Sequence, residues 1–149
     1  MSKRDRIIIG SDHGGFKLKE VIIEHLKGIG CSVDDLGCYS SESCDYPKIG
    51  SEVARRVGEE NIRGILICGT GLGMSIVANR IPGIRAALCH DAYTAEMSRR
   101  HNDSNILVLG GRVTGESVAI NIVDTWINTE FEGGRHQRRL DMIEKNNKY

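Results

Sequence analysis

Gly64-Ile65-Leu66-Ile67-Cys68 is an unbroken run of strand length, and Gly69-Thr70-Gly71-Leu72-Gly73 follows it at once. A strand with no polar alternation fits a parallel sheet covered on both faces. Parallel strands need long crossovers, usually helices, so this run requires strand and helix to alternate along the chain. Ile7-Ile8-Ile9 is a β-branched run closed by Gly10, and Leu18, Val21, Ile22 and Leu26 then recur at helical spacing until Gly28 and Gly30. Ser32-Val33-Asp34 reads as a weak second strand, and residues 37–47 as a loop. Ile49, Val53, Ala54 and Val57 mark a second helix ended by Gly58. After the glycine loop come a short helix through about Asn79 and a fourth strand from Arg85 to Cys89. A helix from Asp91, its N-cap, reaches about His101, with Asn102 as its stop. Ile106 to Leu109 is the fifth strand. Thr114 caps a fifth helix with Val118, Ile122, Val123 and Trp126 inward, and a polar helix follows Gly133-Gly134.

The expected fold class is therefore α/β: a three-layer, Rossmann-like, doubly wound five-stranded parallel sheet with right-handed crossovers. With 149 residues the chain fits one domain, residues 1–149. Its 20 Lys+Arg balance 20 Asp+Glu, which gives no electrostatic footprint for nucleic acid or an anionic membrane. Met1-Ser2-Lys3-Arg4-Asp5 precedes only three isoleucines, too few for a signal peptide's apolar core, and no run reaches the roughly 18 residues of a membrane span. Cys31, Cys38, Cys44, Cys68 and Cys89 contain no C-x-x-C pair, so neither a structural zinc site nor a dithiol is expected. Five free thiols without an export signal fit a cytoplasmic protein.

Ligands of such sheets bind beyond the carboxyl ends of the strands. Those ends carry Ser11-Asp12-His13-Gly14-Gly15, Cys68 with its glycine loop, and Gly110-Gly111-Arg112. Glycine is in excess, at 18 residues, where about 7% is typical. In the central loop, alternate glycines expose backbone N–H groups at a helix start, a place suited to an anion. A helix N-terminus also favours a thiolate, so Cys68 could abstract a proton α to a carbonyl while the nest holds the oxyanion. A buried cysteine ending a core strand, with glycines that only turn the chain, explains the same residues. A dinucleotide site is a third reading. Its spacing is G-x-G-x-G rather than G-x-G-x-x-G, although Asp91 lies about 20 residues on.

Asp12 either caps the first helix or binds ligand, with His13 beside it. Arg135, His136, Arg138 and Arg139 form a basic cluster, in which Arg135 and Arg139 share a helix face and suit a phosphate monoester. A solvated basic face is the alternative. His101-Asn102 ends a helix and precedes a strand, which places it at the amino edge of the sheet, opposite Cys68. Arg99, Arg100 and His101 can simply complement the helix dipole there. A functional His101 would instead serve a neighbouring subunit, which demands an oligomer.

Taken together, SDHGGFKLK (11–19), DYP (45–47), ILICGTGLGMSI (65–76), GIRAALC (83–89), SRRHNDSNIL (98–107) and EGGRHQRR (132–139) resemble the ribose-5-phosphate isomerase B family, which includes galactose-6-phosphate isomerase subunits. The resemblance implies a metal-free, cofactor-free aldose–ketose isomerase of the pentose phosphate pathway, working through a cis-enediolate. It implies Cys68 as the base, Gly69, Thr70, Gly71, Leu72 and Gly73 around the enediolate, and His101 as the group that opens the sugar ring. It further implies Asp12 and His13 at the sugar and phosphate end, Asn102 against the substrate, Tyr46 lining the pocket, and Arg112, Arg135, His136 and Arg139 against the phosphate. Some family members carry serine at the base position and a glutamate shortly after it. Here Met74, Ser75 and Ile76 follow Gly73, so the cysteine form applies. The resemblance also implies a homodimer or dimer of dimers with shared sites, the C-terminal helix extending to a partner subunit. Allose- or galactose-6-phosphate isomerisation is the near alternative, and a non-catalytic nucleotide-binding domain the distant one.

Overall fold

Three isoleucines in a row favour extended backbone and fill both sides of a sheet. In the computed structural model, which describes residues 6–145, they form the middle of β1 (Arg6–Ser11). The reading of Met1–Asp5 lies outside the described residues. The remaining strands are β2 (Ser32–Asp35), β3 (Arg63–Cys68), β4 (Ala86–Leu88) and β5 (Ile106–Gly110). All pair in parallel, in the order β2-β1-β3-β5-β4. The helices are α1 (Phe16–Gly28), α2 (Tyr46–Glu60), α3 (Leu72–Ala78), α4 (Ala92–Arg100), α5 (Glu116–Asn128) and α6 (Arg135–Lys145).

Side chains alternate across the sheet and so build two cores. Ile7, Ile9, Ile65, Ile67, Leu107 and Leu109 pack with Leu18, Ile22, Ile122 and Trp126 from α1 and α5. Ile8, Leu66, Cys68, Ile106 and Val108 pack with Val53, Val57, Met74 and Ala78 from α2 and α3. The expected three layers are thus present, with Cys68 on the α2–α3 side. The two strands poorest in bulky apolar residues, β2 and β4, form the edges.

Local chemistry moved several boundaries. Helix α2 passes through Gly58 and ends where Asn61 adopts a left-handed conformation (φ 52°) and donates to Val57 O. Gly115, not Thr114, precedes α5. Val118 is exposed because the stripe of Ala119, Ile122, Val123, Trp126 and Ile127 is centred roughly 100° around the helix from it. Asp91 does cap α4, accepting from Thr94 N–H at 2.7 Å. That helix ends at Arg100 with His101 in the cap position, and the left-handed residue beyond is Asp103 (φ 45°) rather than Asn102. Gly15 stands at the cap of α1. Asp12 serves the preceding turn, where its Oδ1 accepts from Gly15 N–H at 3.1 Å. The expectation of five free thiols does not hold: the loop after β2 folds back so that Cys38 and Cys44 are joined by a disulfide, leaving Cys31, Cys68 and Cys89 as free thiols.

Candidate active site

The strand order reverses at β1 and β3, so the loops leaving β1, β3 and β5 lie side by side at one edge. Backbone contacts lock them together. Gly111 N–H donates to Cys68 O at 2.8 Å, Arg112 N–H to Gly69 O at 2.9 Å, and Asp12 N–H to Ile67 O at 3.2 Å. The glycines permit this spacing: a Cβ on Gly111 would lie 2.5 Å from Gly14 O, and one on Gly15 2.5 Å from Ile67 O.

Cys68 ends β3 and is buried. Its Sγ accepts the N–H of Gly71 at 3.2 Å, a bond that strengthens when the sulfur carries negative charge. Gly71 can present that N–H because it sits at φ 82°, where glycine alone is unstrained. Thr70 Oγ1 accepts from Leu72 N–H at 3.2 Å. Two N–H groups of the expected oxyanion nest are therefore already bonded within the loop.

Four side chains of the candidate set lie on the segments that meet at this edge. Arg112 covers Gly69, its Nη1 lying 3.2 Å from where a Cβ would be. The Tyr46 ring similarly covers Gly73, 2.8 Å from the corresponding point. His13 Nδ1 accepts from Cys44 N–H at 3.3 Å, which in the neutral ring leaves the proton on Nε2, free to donate to an oxygen ligand. Asp12 is buried beneath the same turn.

His101, Asn102, Arg135, His136 and Arg139 are elsewhere. His101 precedes β5 while Cys68 pairs with its last residue, Gly110. About 13 Å of strand separates the two edges. A buried network fixes the His101 turn. Arg99 donates to Asp103 Oδ1 at 2.9 Å, Ser104 O at 2.6 Å and Thr129 O at 3.2 Å. Trp126 Nε1 donates to Ser104 Oγ at 2.8 Å. The His101 and His136 rings stack, centroids 4.2 Å apart. His136 is held below the ordinary histidine pKa, chiefly by burial and then by the positive charge of His101, Arg135 and Arg139, with Glu132 opposing.

Sequence reasoning missed Lys19, Glu132 and the Cys38–Cys44 bond. Lys19 is fully buried, its ammonium 2.7 Å from Asp35 Oδ1 and bonded to Cys38 O, and so pins the disulfide loop that carries Cys44 to His13. Its place on the buried side of α1, next to Leu18, was the available signal. Glu132 stands four residues before His136, with Oε2 3.5 Å from Nε2. Cys89, by contrast, faces the core, where burial pushes its thiol pKa up and keeps it protonated.

A sequence model of the Ribose/Galactose Isomerase family matches residues 7–143. The chain belongs to that family. Among its relatives, the ribose-5-phosphate isomerase B of Escherichia coli K12 is 51% identical over 139 residues, 93% of each chain. The solved Clostridium thermocellum ribose-5-phosphate isomerase B superposes with a TM-score of 0.94 at 54% identity, covering 96% of this chain and 97% of that one. The Mycoplasma genitalium ribose-5-phosphate isomerase B, solved with bound ribulose 5-phosphate, superposes with a TM-score of 0.92 at 44% identity, covering 96% of each chain.

Proposed function

We propose that this single domain is a ribose-5-phosphate isomerase, converting ribose 5-phosphate and ribulose 5-phosphate through a cis-enediolate. The observation that carries the reading is Cys68 Sγ, buried and hydrogen-bonded by Gly71 N–H, in a loop flanked by His13 and Arg112. Family membership and the likeness to ribose-5-phosphate isomerases B support the substrate.

In this reaction Cys68, as thiolate, takes the proton from C2 of the open aldose. The electron pair moves into C1–C2, and O1 becomes the enediolate oxygen beside the glycine loop and Thr70. A proton passes from O2 to O1, and the Cys68 thiol returns its proton to C1. His101 opens the furanose by moving a proton between the ring oxygen and the anomeric hydroxyl. Asp12, Tyr46 and Asn102 hold the sugar, while His13, Arg112, Arg135, His136 and Arg139 hold the phosphate. These groups supply base, acid and anion binding without calling on a metal ion or cofactor.

His101 and the α6 cations lie across the sheet from Cys68, so the site is completed by a second copy. The enzyme is a homodimer or dimer of dimers, α6 reaching into the neighbour's site. Leu72 and Ile76, exposed on one face of α3 beside the Cys68 loop, give such a copy apolar surface to cover. Among the described residues no helix is long and apolar enough to cross a membrane, and the reading places the enzyme in the cytoplasm.

The deciding experiment measures isomerase activity on ribose 5-phosphate beside allose 6-phosphate and galactose 6-phosphate. The highest kcat/KM is expected on ribose 5-phosphate. Higher efficiency on a hexose phosphate would move the substrate assignment, and no turnover with thermal stabilisation by NAD or ATP would replace the enzyme reading.

A further inference from the structure

We propose that His101, Glu132 and His136 form a binding site for a divalent transition-metal ion such as zinc, which acts as an inhibitor and not as a cofactor. One ligand atom from each lies within 4.8 Å of the other two. Two imidazoles and a carboxylate are a donor set suited to zinc, which keeps a fourth position for water or an anion. A second observation points to a ligand at the same place. His136 is only 6% exposed and its Nε2 has no hydrogen-bond partner, Glu132 Oε2 standing off at 3.5 Å. A buried nitrogen with a lone pair and no partner is a group that a metal ion satisfies.

The scaffold already holds the three residues in register. Glu132 N–H donates to Arg100 O at 3.1 Å, and His101 N–H donates to Met97 O at 2.9 Å, so the segment before α6 is tied to the end of α4. Glu132 is exposed and His101 half-buried, which gives the ion an entry from solvent. Zinc–nitrogen bonds of about 2.0–2.1 Å require the stacked rings to tilt until their lone pairs converge, a movement that falls to His101, the less buried of the two. Arg135 and Arg139 oppose a dication, so affinity falls below that of a closed four-ligand structural site. Nitrogen donors favour zinc and cobalt over magnesium.

Inhibition follows from the proposed ring-opening role of His101 and rests on that reading, because the ion occupies the lone pair that moves the proton. Binding does not rest on it. The test titrates Zn2+ into the EDTA-treated full chain by calorimetry, with Co2+ absorption as an independent probe of the ligand set. One ion per chain is expected. Glu132→Gln and His136→Gln should each weaken binding tenfold or more, on the order of what lost metal-site groups cost elsewhere. Alkylation of the free thiols should leave it intact, and Mg2+ should not compete. No saturable binding, binding indifferent to both substitutions, or binding lost on alkylation would overturn the site. In the isomerase assay, Glu132→Gln should turn over like the wild type without metal and lose its sensitivity to zinc. An ion that binds through Glu132 yet leaves turnover unchanged would uphold the site and overturn its inhibitory action.

Discussion

Replacing Gly111 with alanine tests whether backbone contact between loops sets the geometry at Cys68. The added Cβ would lie 2.5 Å from Gly14 O and 3.1 Å from Gly15 Cα. Ordinary contact begins at 3.4 Å, so the clash with the carbonyl is about 0.9 Å deep and falls on backbone that no rotamer change can move. Either the Asp12–Gly15 turn lifts away, or the Gly110–Arg112 turn does, and the latter stretches the Gly111 N–H to Cys68 O bond. Overpacking of this kind costs about 1–3 kcal/mol of stability. A displacement near 1 Å at a catalytic group costs up to roughly 100-fold in rate. Denaturant unfolding should register the first, and kcat/KM on ribose 5-phosphate the second. Gly28→Ala is the control. A Cβ there meets nothing within 4 Å in the last turn of α1, and stability should rise by about 0.4–1 kcal/mol with kcat/KM unchanged. If Gly111→Ala matched the wild type in both assays, the glycines would be turn formers only, and the argument from close packing would be wrong.

Three further outcomes are expected. Cys68→Ser should lower kcat by about 10²–10⁴-fold with little change in KM, the loss typical of an acid–base group, and an unchanged rate would remove the thiolate from the mechanism. Cys68→Ser and His101→Asn chains, each inactive alone, should recover about a quarter of wild-type activity after subunit exchange, since a two-fold heterodimer holds one intact site. No recovery would overturn the shared-site assembly. Stability should fall with His136 as pH drops. Its folded pKa lies below the unfolded value near 6.5, so the unfolded chain binds more protons in that window and stability is lost as pH falls through it. The Tm of His136→Gln, measured in EDTA, should vary less between pH 7 and pH 5.5. An identical profile would show that the buried imidazole does not set the slope.

The centre of the sheet was legible in the sequence because β1, β3 and β5 are buried on both sides and must be apolar throughout. The edges were faint for the converse reason: β2 reads Ser-Val-Asp-Asp and β4 Ala-Ala-Leu, sequences that bury little. Neither strand says which edge it takes, since that depends on whether a crossover passes β5, a tertiary choice. Loop residues with chemistry were legible at strand ends, where Cys68, His13 and Arg112 now stand together. The hydrogen bonds that bind Gly71 and Thr70 within their own loop were not, because they depend on φ values that several glycine arrangements satisfy. Nor was the Cys38–Cys44 pairing, which requires the turn that brings positions six apart into contact.

The separation of the candidate groups follows from topology alone. In a wholly parallel sheet, every strand-to-helix loop falls on one edge and every helix-to-strand turn on the other. A base carried after β3 and an acid carried before β5 therefore cannot meet within one chain, however the loops are adjusted. The proposed two-fold partner would resolve this by turning the opposite edge of one copy toward the glycine loops of the other. The buried Arg99–Ser104–Trp126 network beneath His101 would then fix a group that the proposed assembly presents to its neighbour. Within the chain His101 lies against His136 and Glu132, so the edge proposed to complete the neighbour's site is also the one proposed to hold a metal ion.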